Sequence, residues 1–378
     1  MITLHNQFQI SFKLGKYSDF ILLDDLHRFI IEEYATGALP TFELGFVTKD
    51  ENILALMNIG NSLVINIGID NEMSDPITLY IVKVETSRSN YPFCDVYLSG
   101  VCHSNTYANK TKVRNINKTS ALAIKEVVSS FKWHNKNNEV SSDSMVWRQC
   151  SVSDREFVQH LFLRSYIANS QMLMGIDTQG NFLLRDLKKI LNRKDRDFTF
   201  KKSKTKEDNN KVLQYQGCLY SNISSYNSYV TTKDKTFKSI DLIQGTTADS
   251  SVTVKNYMSI SPLSRDTSNK TQQVLPRFTN TSNKHANYES VYLKNLAQLN
   301  LLQGGIQTVE CNNFYFPIKV LDLVYYESET ISDKHISSPY ESGTYLVSKV
   351  SRCIQNKVLT TTVTLCNEFM NDQKGALG

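Results

Sequence analysis

Cysteine is sparse in this 378-residue sequence, and its spacing excludes two common kinds of cross-linked protein. The seven cysteines are odd in number and widely scattered, and no two of them form a CxxC pair. This spacing provides neither the paired ligands of a zinc knuckle nor a disulfide framework. We therefore predict reduced cysteines that pack as small apolar side chains. They are Cys94, Cys102, Cys150, Cys218, Cys311, Cys353 and Cys366.

Long apolar runs are also missing. No stretch approaches the roughly 18 consecutive apolar residues that a membrane-spanning helix needs. The first residues, MITLHNQFQISFKLGK, have neither the basic start nor the small-residue cleavage site of a signal peptide. The sequence therefore predicts a protein without a membrane anchor, made in a cytoplasm. Its 40% hydrophobic and 21% charged residues are typical of an ordinary folded chain with two or three domains.

The sequence carries little excess charge of either sign. Its formal net charge is +5, whereas a dedicated nucleic-acid binder clusters basic side chains with aromatic ones on one element. The only dense basic run, Lys188 to Lys211, also contains acidic residues. We interpret it as a solvated linker between domains or a surface loop. A phosphate-binding patch is the alternative, and it predicts salt-dependent retention of DNA.

Motifs that carry catalysis or bind cofactors are missing too. The sequence has no GxxxxGK[ST] loop, no GxGxxG after a strand, no GxSxG elbow and no HExxH. His103 beside Cys102 is the nearest approach to a metal site, but one such pair is too few ligands. We therefore predict no enzyme activity, and no catalytic, cofactor-binding or metal-binding residue.

One group of side chains still offers an alternative. Asp154, Glu156 and His160 are close in sequence, and Glu156 and His160 lie one helical turn apart. They are the best candidates if the chain is instead a cell-wall hydrolase carried by a phage tail. However, Ser153 and Glu156 have the spacing of a helix capping box, which uses the same glutamate. This competing use favours a structural role.

The first part of the chain, residues 1–107, is rich in alternating patterns. FQISFKL places its apolar side chains on one side of a strand, and LVINIGI, ITLYIVKVE and FCDVYLSGV repeat this period of two. Several short strands separated by turns favour a small barrel or sandwich. Residues 19–40 fit either a helix or an irregular strand pair, and the pattern leaves both open.

The pattern changes in residues 108–187. KTSALAIKEVVSSFKW has helical apolar spacing, with Thr119 or Ser120 as its N-cap. The stretch from Trp147 to Leu187 predicts a capped helix followed by a hairpin around Asp177 to Asn181. Gly180 suits the turn position with positive φ. We predict a small α+β module here, acting as a packing unit.

The last part, residues 212–378, is again rich in strands. Its Ser/Thr/Asn/Lys-rich stretch, about 229–287, predicts an insertion or extended loop. NYESVYLKNLAQLNLLQGG predicts a helix that ends at a Gly-Gly stop. FPIKVLDLVYY and a terminal hairpin follow, with Asn356 and Lys357 near the turn. The final strand alternates apolar residues with threonine, which is typical of a strand with one wet face.

The order of these parts resembles the central baseplate hub protein of contractile-tailed phages and the hub portion of VgrG-type spike proteins. The likeness is carried by KTSALAIKEVV, by the capped helix and hairpin from Trp147 to Leu187, and by the closing helix and strands, NYESVYLKNLAQLNLLQGG to GTYLVSKVSRCIQNKVLTTTVTLCNEF. The resemblance implies an α+β, mainly β fold with two tail-tube-like barrels. These would be residues 1–107 and 212–378, flanking the module at 108–187 and the basic linker at 188–211.

The resemblance also implies a function. The family's hub is a homotrimer whose two barrels per chain form a ring of six similar units, joining the six-fold tail tube to the three-fold central spike. Because the chain stops at Gly378, we expect the phage arrangement, in which hub and spike are separate polypeptides. The expected partners are the spike, the tube or its initiator, and baseplate wedge proteins. DNA would pass through the lumen without specific binding. The expected location is the virion tail baseplate, after synthesis and assembly in the host cytoplasm.

Overall fold

The protein is described by a computed structural model that covers most of the chain. The described residues are 8–14, 17–69, 72–88, 92–134, 141–168, 170–202, 210–221, 235–241, 247–252, 273–277, 305–312, 317–328 and 342–367, together with 284, 285, 287, 288, 291, 292, 294–296 and 299.

Strands dominate the described part of the chain. In chain order they are β1 (Phe8–Leu14), β2 (Tyr17–Leu22), β3 (Leu26–Tyr34), β4 (Thr41–Thr48), β5 (Ser62–Ile69), β6 (Glu72–Met73), β7 (Ile77–Ser87), β8 (Cys94–Cys102), β9 (Thr111–Lys118), β10 (Lys132–His134), β11 (Met145–Ser153), β12 (Met172–Ile176), β13 (Asn181–Asp186), β14 (Phe198–Lys201), β15 (Val212–Gln214), β16 (Gly217–Ser221), β17 (Lys235–Asp241), β18 (Thr247–Val252), β19 (Gln273–Arg277), β20 (Gly305–Cys311), β21 (Leu323–Tyr326), β22 (Gly343–Gln355) and β23 (Val358–Asn367). The helices are α1 (Glu51–Leu56), α2 (Asn105–Asn109), α3 (Ser120–Val127), α4 (Asp154–Leu163) and α5 (Leu187–Leu191).

The first half of the main sheet contains β1 to β8. Its strands follow the order β2-β1-β5-β7-β8-β4-β3, and β6 pairs beside β5. Alternate residues of these strands point to one side and form a buried apolar core, as the period of two predicts. The undecided stretch 19–40 forms no helix: it contributes β2 and β3, and in β3 the buried Phe29 and Ile31 alternate with the more exposed Arg28, Ile30 and Glu32.

The second half is built around β22, the longest strand. On one side the order is β15-β14-β21-β22, and on the other β16-β20-β23-β22. Its apolar side chains enclose a second core. The terminal hairpin β22–β23 turns at Asn356 and Lys357, which both have positive φ (51° and 63°). This is the backbone of a type I′ turn, so the predicted turn position is confirmed.

The two halves are joined edge to edge. The start of β22, Gly343–Leu346, pairs with β21, and its remainder, Lys349–Gln355, pairs antiparallel with β3. This β3–β22 ladder is called the seam below. The prediction of a mainly β chain is confirmed, and the seam makes the two halves one 15-stranded sheet. The alternation of apolar and polar residues along one strand does not show which remote strand it pairs with.

The α+β module lies between the halves in sequence. The ribbon β9–β11, the helices α3 and α4 and the small sheet β10-β13-β12 share a third core. The predicted capping box is present, because the Ser153 hydroxyl accepts a hydrogen bond from the backbone N–H of Glu156, and the Glu156 carboxylate accepts one from the backbone N–H of Ser153. Gly180 has φ +74° in the hairpin turn, also as predicted. The described residues between 288 and 299 are helical.

One interpretation needs correction. The run 188–211 is not simply a solvated linker: α5 begins at Leu187, and Phe198–Lys201 forms β14 in the sheet between β15 and β21. Phe200 is fully buried there. The lysines around it obscured a four-residue strand with only one buried apolar side chain. In the stretch 229–287, β17, β18 and β19 form a separate three-stranded sheet.

The remaining sequence predictions concern cysteines and membrane spans. All seven cysteines are free, as predicted; five are buried or half-buried, and Cys150 and Cys218 are exposed. Within the part of the chain that the structure describes, none of the helices has the length and apolar character needed to cross a bilayer.

Candidate functional site: the seam and the hairpin beneath it

The carboxylate of Asp154, a candidate for catalysis, is held by structural ion pairs. Its oxygens lie 2.6 Å from Lys112 Nζ and 2.5 Å from Arg114 Nη2, and Gln149 Nε2 donates a third bond at 3.1 Å. Both basic residues belong to β9, and Gln149 to β11. Asp154 therefore fastens the first turn of α4 to the ribbon.

Glu156 and His160 are likewise engaged in packing. Glu156 closes the capping box through its Oε2, and the hydrogen bonds from Ser153 lower the pKa of its carboxyl group. Burial, and then the charge of Arg164, lower the pKa of His160 to about 4. Its Nε2 lies 3.3 Å from the Tyr288 hydroxyl. Each of the three candidates thus makes a different structural contact within the module.

His103 and Cys102 are also engaged in the packing of the protein. The His103 ring is hydrogen-bonded to the carbonyl of Thr178, and burial lowers its pKa. Burial also raises the pKa of the Cys102 thiol, well away from the thiolate that binds metals. Among the described residues, no group of three or more His, Cys, Asp or Glu side chains could hold a metal ion.

The most unusual polar group lies under the seam. Glu33 of β3 and Arg352 of β22 are each 1% exposed, on the side of the sheet that otherwise buries apolar residues. Arg352 Nη1 lies 3.2 Å from Glu33 Oε1, and Arg352 Nη2 donates to the carbonyl of Ile318 at 2.5 Å. Since ions are rarely buried unless paired, this pair marks the position where the two halves meet.

The hairpin of the module reaches the same point. The backbone N–H of Thr178, in the β12–β13 turn, donates to Glu33 Oε1 at 3.1 Å. Next to it, Asp177 accepts from Lys319 Nζ at 2.7 Å and from the backbone N–H of Asn181 at 2.8 Å. Burial alone would raise the pKa of Asp177, but these hydrogen bonds and the charge of Lys319 outweigh it and hold the pKa below its ordinary value.

These contacts define the seam cluster: Glu33, Arg352, Asp177, Thr178 and Lys319. It joins strands from both halves of the sheet to the turn of the module. Because each member is a charged side chain or a backbone donor with a fixed partner, a shift of one residue in the seam would leave buried charges without partners. The cluster therefore fixes the register of the two halves.

The opposite side of the sheet crosses the seam without interruption. One cross-strand row passes through Ser99, Glu43, Ile30, Cys353 and Thr360, on β8, β4, β3, β22 and β23. We call this side the polar face.

Charged side chains on the polar face pair with one another. Arg28 lies 3.2 Å from Glu43, and Lys349 lies 2.8 Å from Glu32 across the seam. One of these ion pairs lies within the first half, and the other bridges the two halves.

Sequence reasoning missed Glu33 and Arg352, although a signal was present. In FIIEEY, Glu33 follows Phe29 and Ile31 in the apolar phase of the strand, and in VSRCIQ, Arg352 lies between Val350 and Ile354 in the same phase. When two strands carry opposite charges at positions that should be buried, those charges predict an ion pair between the strands. Asp177 was placed in a turn, but its contact with Lys319 was not foreseen.

The fold has known counterparts among solved structures. The 43 kDa tail protein of prophage MuSo2 from Shewanella oneidensis is 12% identical with a TM-score of 0.59, over 95% of this chain and 97% of that one. A tail protein from Neisseria meningitidis is 10% identical with a TM-score of 0.57, over 96% and 97%. The chain has a phage tail protein fold. A component of the E. coli type VI secretion system, itself described as similar to phage tail proteins, shares this fold at 8% identity and a TM-score of 0.53, over 95% and 78%. Neither protein-family models nor curated proteins give a match.

Proposed function

We propose that this chain is a structural hub of a phage tail baseplate. Three copies would close a ring of six β units that joins the tail tube to the central spike. The observation that carries the proposal is the seam, which sets two β halves side by side in one sheet within a single chain. Two units per chain and three chains per ring reconcile a six-fold tube with a three-fold spike.

The polar face supports a channel. A ring that surrounds a passage needs a wettable inner wall, and the polar face carries ion pairs both within the first half and across the seam. Basic side chains that are paired in this way would hold phosphate backbones only weakly, so DNA would pass without specific binding. The seam cluster would keep the two units of each chain rigid, with the module as a buttress against them.

The proposed domains follow the sequence analysis with one change. The first unit is 1–107, the module 108–187 and the second unit 212–378, while the segment 188–211 contributes β14 to the second unit. The proposed partners are the spike, the tube or its initiator, and wedge proteins. The proposed location is the virion baseplate, after synthesis and assembly in the host cytoplasm. The role is non-enzymatic, supported by the structural contacts of Asp154, Glu156 and His160.

Oligomer measurements test this function directly. We expect light scattering after size-exclusion chromatography to give three times the 43.1 kDa chain mass, alone or with spike protein added. Negative-stain images of that species should show a ring with a central hole. A strictly monomeric protein in the presence of the spike, or a trimer without a hole, would overturn the proposal.

A further inference from the structure

The basic run, residues 188–211, carries more positive charge than the contacts of the chain use. It contains ten Lys and Arg residues against four Asp and Glu residues. Arg193 pairs with Asp197 at 2.7 Å. The side chains of Lys188 and Lys194 are exposed and form no ion pair within the part of the chain that the structure describes. The run therefore presents surplus positive charge to the solvent.

The opposite charge is concentrated in the first half. Residues 1–107 contain 13 acidic and six basic residues, a formal net charge of −7, whereas residues 188–378 contain 17 acidic and 25 basic residues, a formal net charge of +8. Within the first half, residues 50–82 include five acidic residues and no Lys, Arg or His. We call this segment the acidic stretch; it contains α1, β5, β6 and the first part of β7.

Contacts between the two halves of one chain already follow this polarity. In the described part of the chain, three ion pairs join the first half to β22 or to the turn that follows it, and in each of them the acid belongs to the first half. The pairs are Glu32–Lys349, Glu33–Arg352 and Asp24–Lys357. The halves therefore attract each other where they meet, whereas two first halves placed side by side would repel each other.

The basic run lies on the side of the second half that is turned away from the seam. Two branches of strands leave β22, and they end at β15 and β16. The backbone N–H of Tyr215 donates to the carbonyl of Lys201 in β14. The next N–H, of Gln216, donates to the carbonyl of Glu310 in β20. The two branches therefore meet, and in this closed order of strands β15 and β16 lie opposite β22. The run contains β14 and ends directly before β15.

The acidic stretch lies opposite the seam in the first half. In the order β2-β1-β5-β7-β8-β4-β3, the two end strands are joined by a tight turn, in which the N–H of Asp25 donates to the carbonyl of Leu22. Strands β5 and β7 are in the middle of this order, so they are the strands farthest from β3. Asp75 lies between them and is exposed; its carboxylate accepts a hydrogen bond from Gln179 at 3.1 Å. The acidic stretch and the basic run thus lie on the far sides of their halves.

Resting on the proposed ring, we propose that the basic run of one copy contacts the acidic stretch of the next copy. Such a contact joins two different surfaces of the same chain, and a head-to-tail contact of this kind closes into a ring when its rotation allows. Each first half then lies between two second halves, one of its own chain and one of its neighbour, with the same polarity on both sides. Repulsion between like halves disfavours any other order, so charge fixes the alternation of the units.

The position of the run favours a protein partner over nucleic acid. The polar face continues from β22 to β23, whereas the run belongs to the branch that leaves β22 through β21. The run therefore does not line the passage proposed for DNA. Its aromatic side chains, Phe198 and Phe200, are half-buried and buried against the second core, so they offer no stacking surface to bases.

Light scattering of the full-length chain over a range of protein concentrations measures this contact. Salt screens the attraction between exposed charges, so the concentration of half-assembly should rise at least about tenfold between about 50 mM and about 500 mM sodium chloride. At low salt, Lys188→Glu/Lys194→Glu should raise it by a similar factor, and so should Glu72→Lys/Asp75→Lys in the acidic stretch. Combining all four substitutions in one chain should restore assembly to within about threefold of the natural chain.

The matched control reverses two exposed charges of the module, Lys110→Glu/Arg148→Glu, and should leave assembly unchanged. Circular dichroism identifies any variant that does not fold, and the salt titration of the natural chain needs no variant. A trimer that responds neither to salt nor to either reversal would overturn this contact and leave the ring standing. A natural chain that stays monomeric at low salt, with or without the spike, would overturn both. Retention of double-stranded DNA that Lys188→Glu/Lys194→Glu abolishes, with assembly unchanged, would assign the run to nucleic acid and overturn the contact between copies.

Discussion

Breaking the buried ion pair under the seam gives the sharpest test of the structure. In the variant Arg352→Met, Glu33 keeps the backbone N–H of Thr178 but loses its only cationic partner among the described contacts. The carbonyl of Ile318 loses its donor as well. Removing one partner of a buried pair costs about 3–5 kcal/mol, because the remaining charge stays in an apolar environment. We expect a loss of unfolding free energy of this size.

A double variant shows how much of this loss comes from the unpaired charge and how much from the changed packing. Adding Glu33→Gln to Arg352→Met removes the uncompensated charge and keeps an acceptor for Thr178, so the double variant should be more stable than the single one by about 1–3 kcal/mol, while the unpaired Ile318 carbonyl keeps it below the natural chain. Urea unfolding measures the free energies, and hydrogen exchange of the β3 and β22 amides shows whether the seam opens first.

An exposed pair gives the matched control. Lys83→Met breaks the ion pair with Glu85, whose side chains are 62% and 60% exposed, and should change stability by less than about 0.5 kcal/mol. A loss below about 1 kcal/mol for Arg352→Met, or a double variant no more stable than the single one, would show that the seam does not depend on this pair.

Three further predictions concern the module. Ser153→Ala removes the side-chain acceptor of the capping box and should destabilise the protein by about 1 kcal/mol in urea unfolding, while leaving the oligomer intact. His160 has a pKa of about 4 in the folded protein, below its ordinary value of 6.5, so the unfolded chain binds the proton first as pH falls. Stability therefore decreases as the pH falls from 6.5 to 4, and His160→Gln should flatten that slope in urea unfolding; an unchanged slope would contradict the lowered pKa of His160. Gly180→Ala should cost more than Gly60→Ala, because both glycines have positive φ but the new Cβ at position 180 would lie 2.8 Å from the His103 ring, whereas the space at position 60 is open. Equal melting temperatures of these two variants would refute the close approach.

Local patterns were enough to predict most elements. The alternation in FQISFKL and in the terminal hairpin gave β1 and the β22–β23 pair, because one face of each strand is buried. The spacing of Ser153 and Glu156 gave the start of α4, since a capping box acts within four residues. These features depend on residues that are close to each other in the sequence, so the pattern of one sequence is enough to recognise them.

The features that the sequence did not predict depend on contacts between residues that are far apart in the chain. The seam joins segments more than 300 positions apart, and the Arg352–Glu33 pair has a separation of 319 residues. Strand β14 was not predicted, because Phe200 is its only fully buried residue and lysines lie on both sides of the strand in the sequence.

The seam also has a consequence for synthesis on the ribosome. Strand β3 is translated near the beginning of the chain, but its partner β22 emerges only after position 343. Until then, β3 leaves the tunnel with one row of backbone donors and acceptors unsatisfied, and such an edge readily pairs with another nascent chain. Translation that stalls before β22 would therefore leave this edge of β3 open, and the last strands of the chain close it.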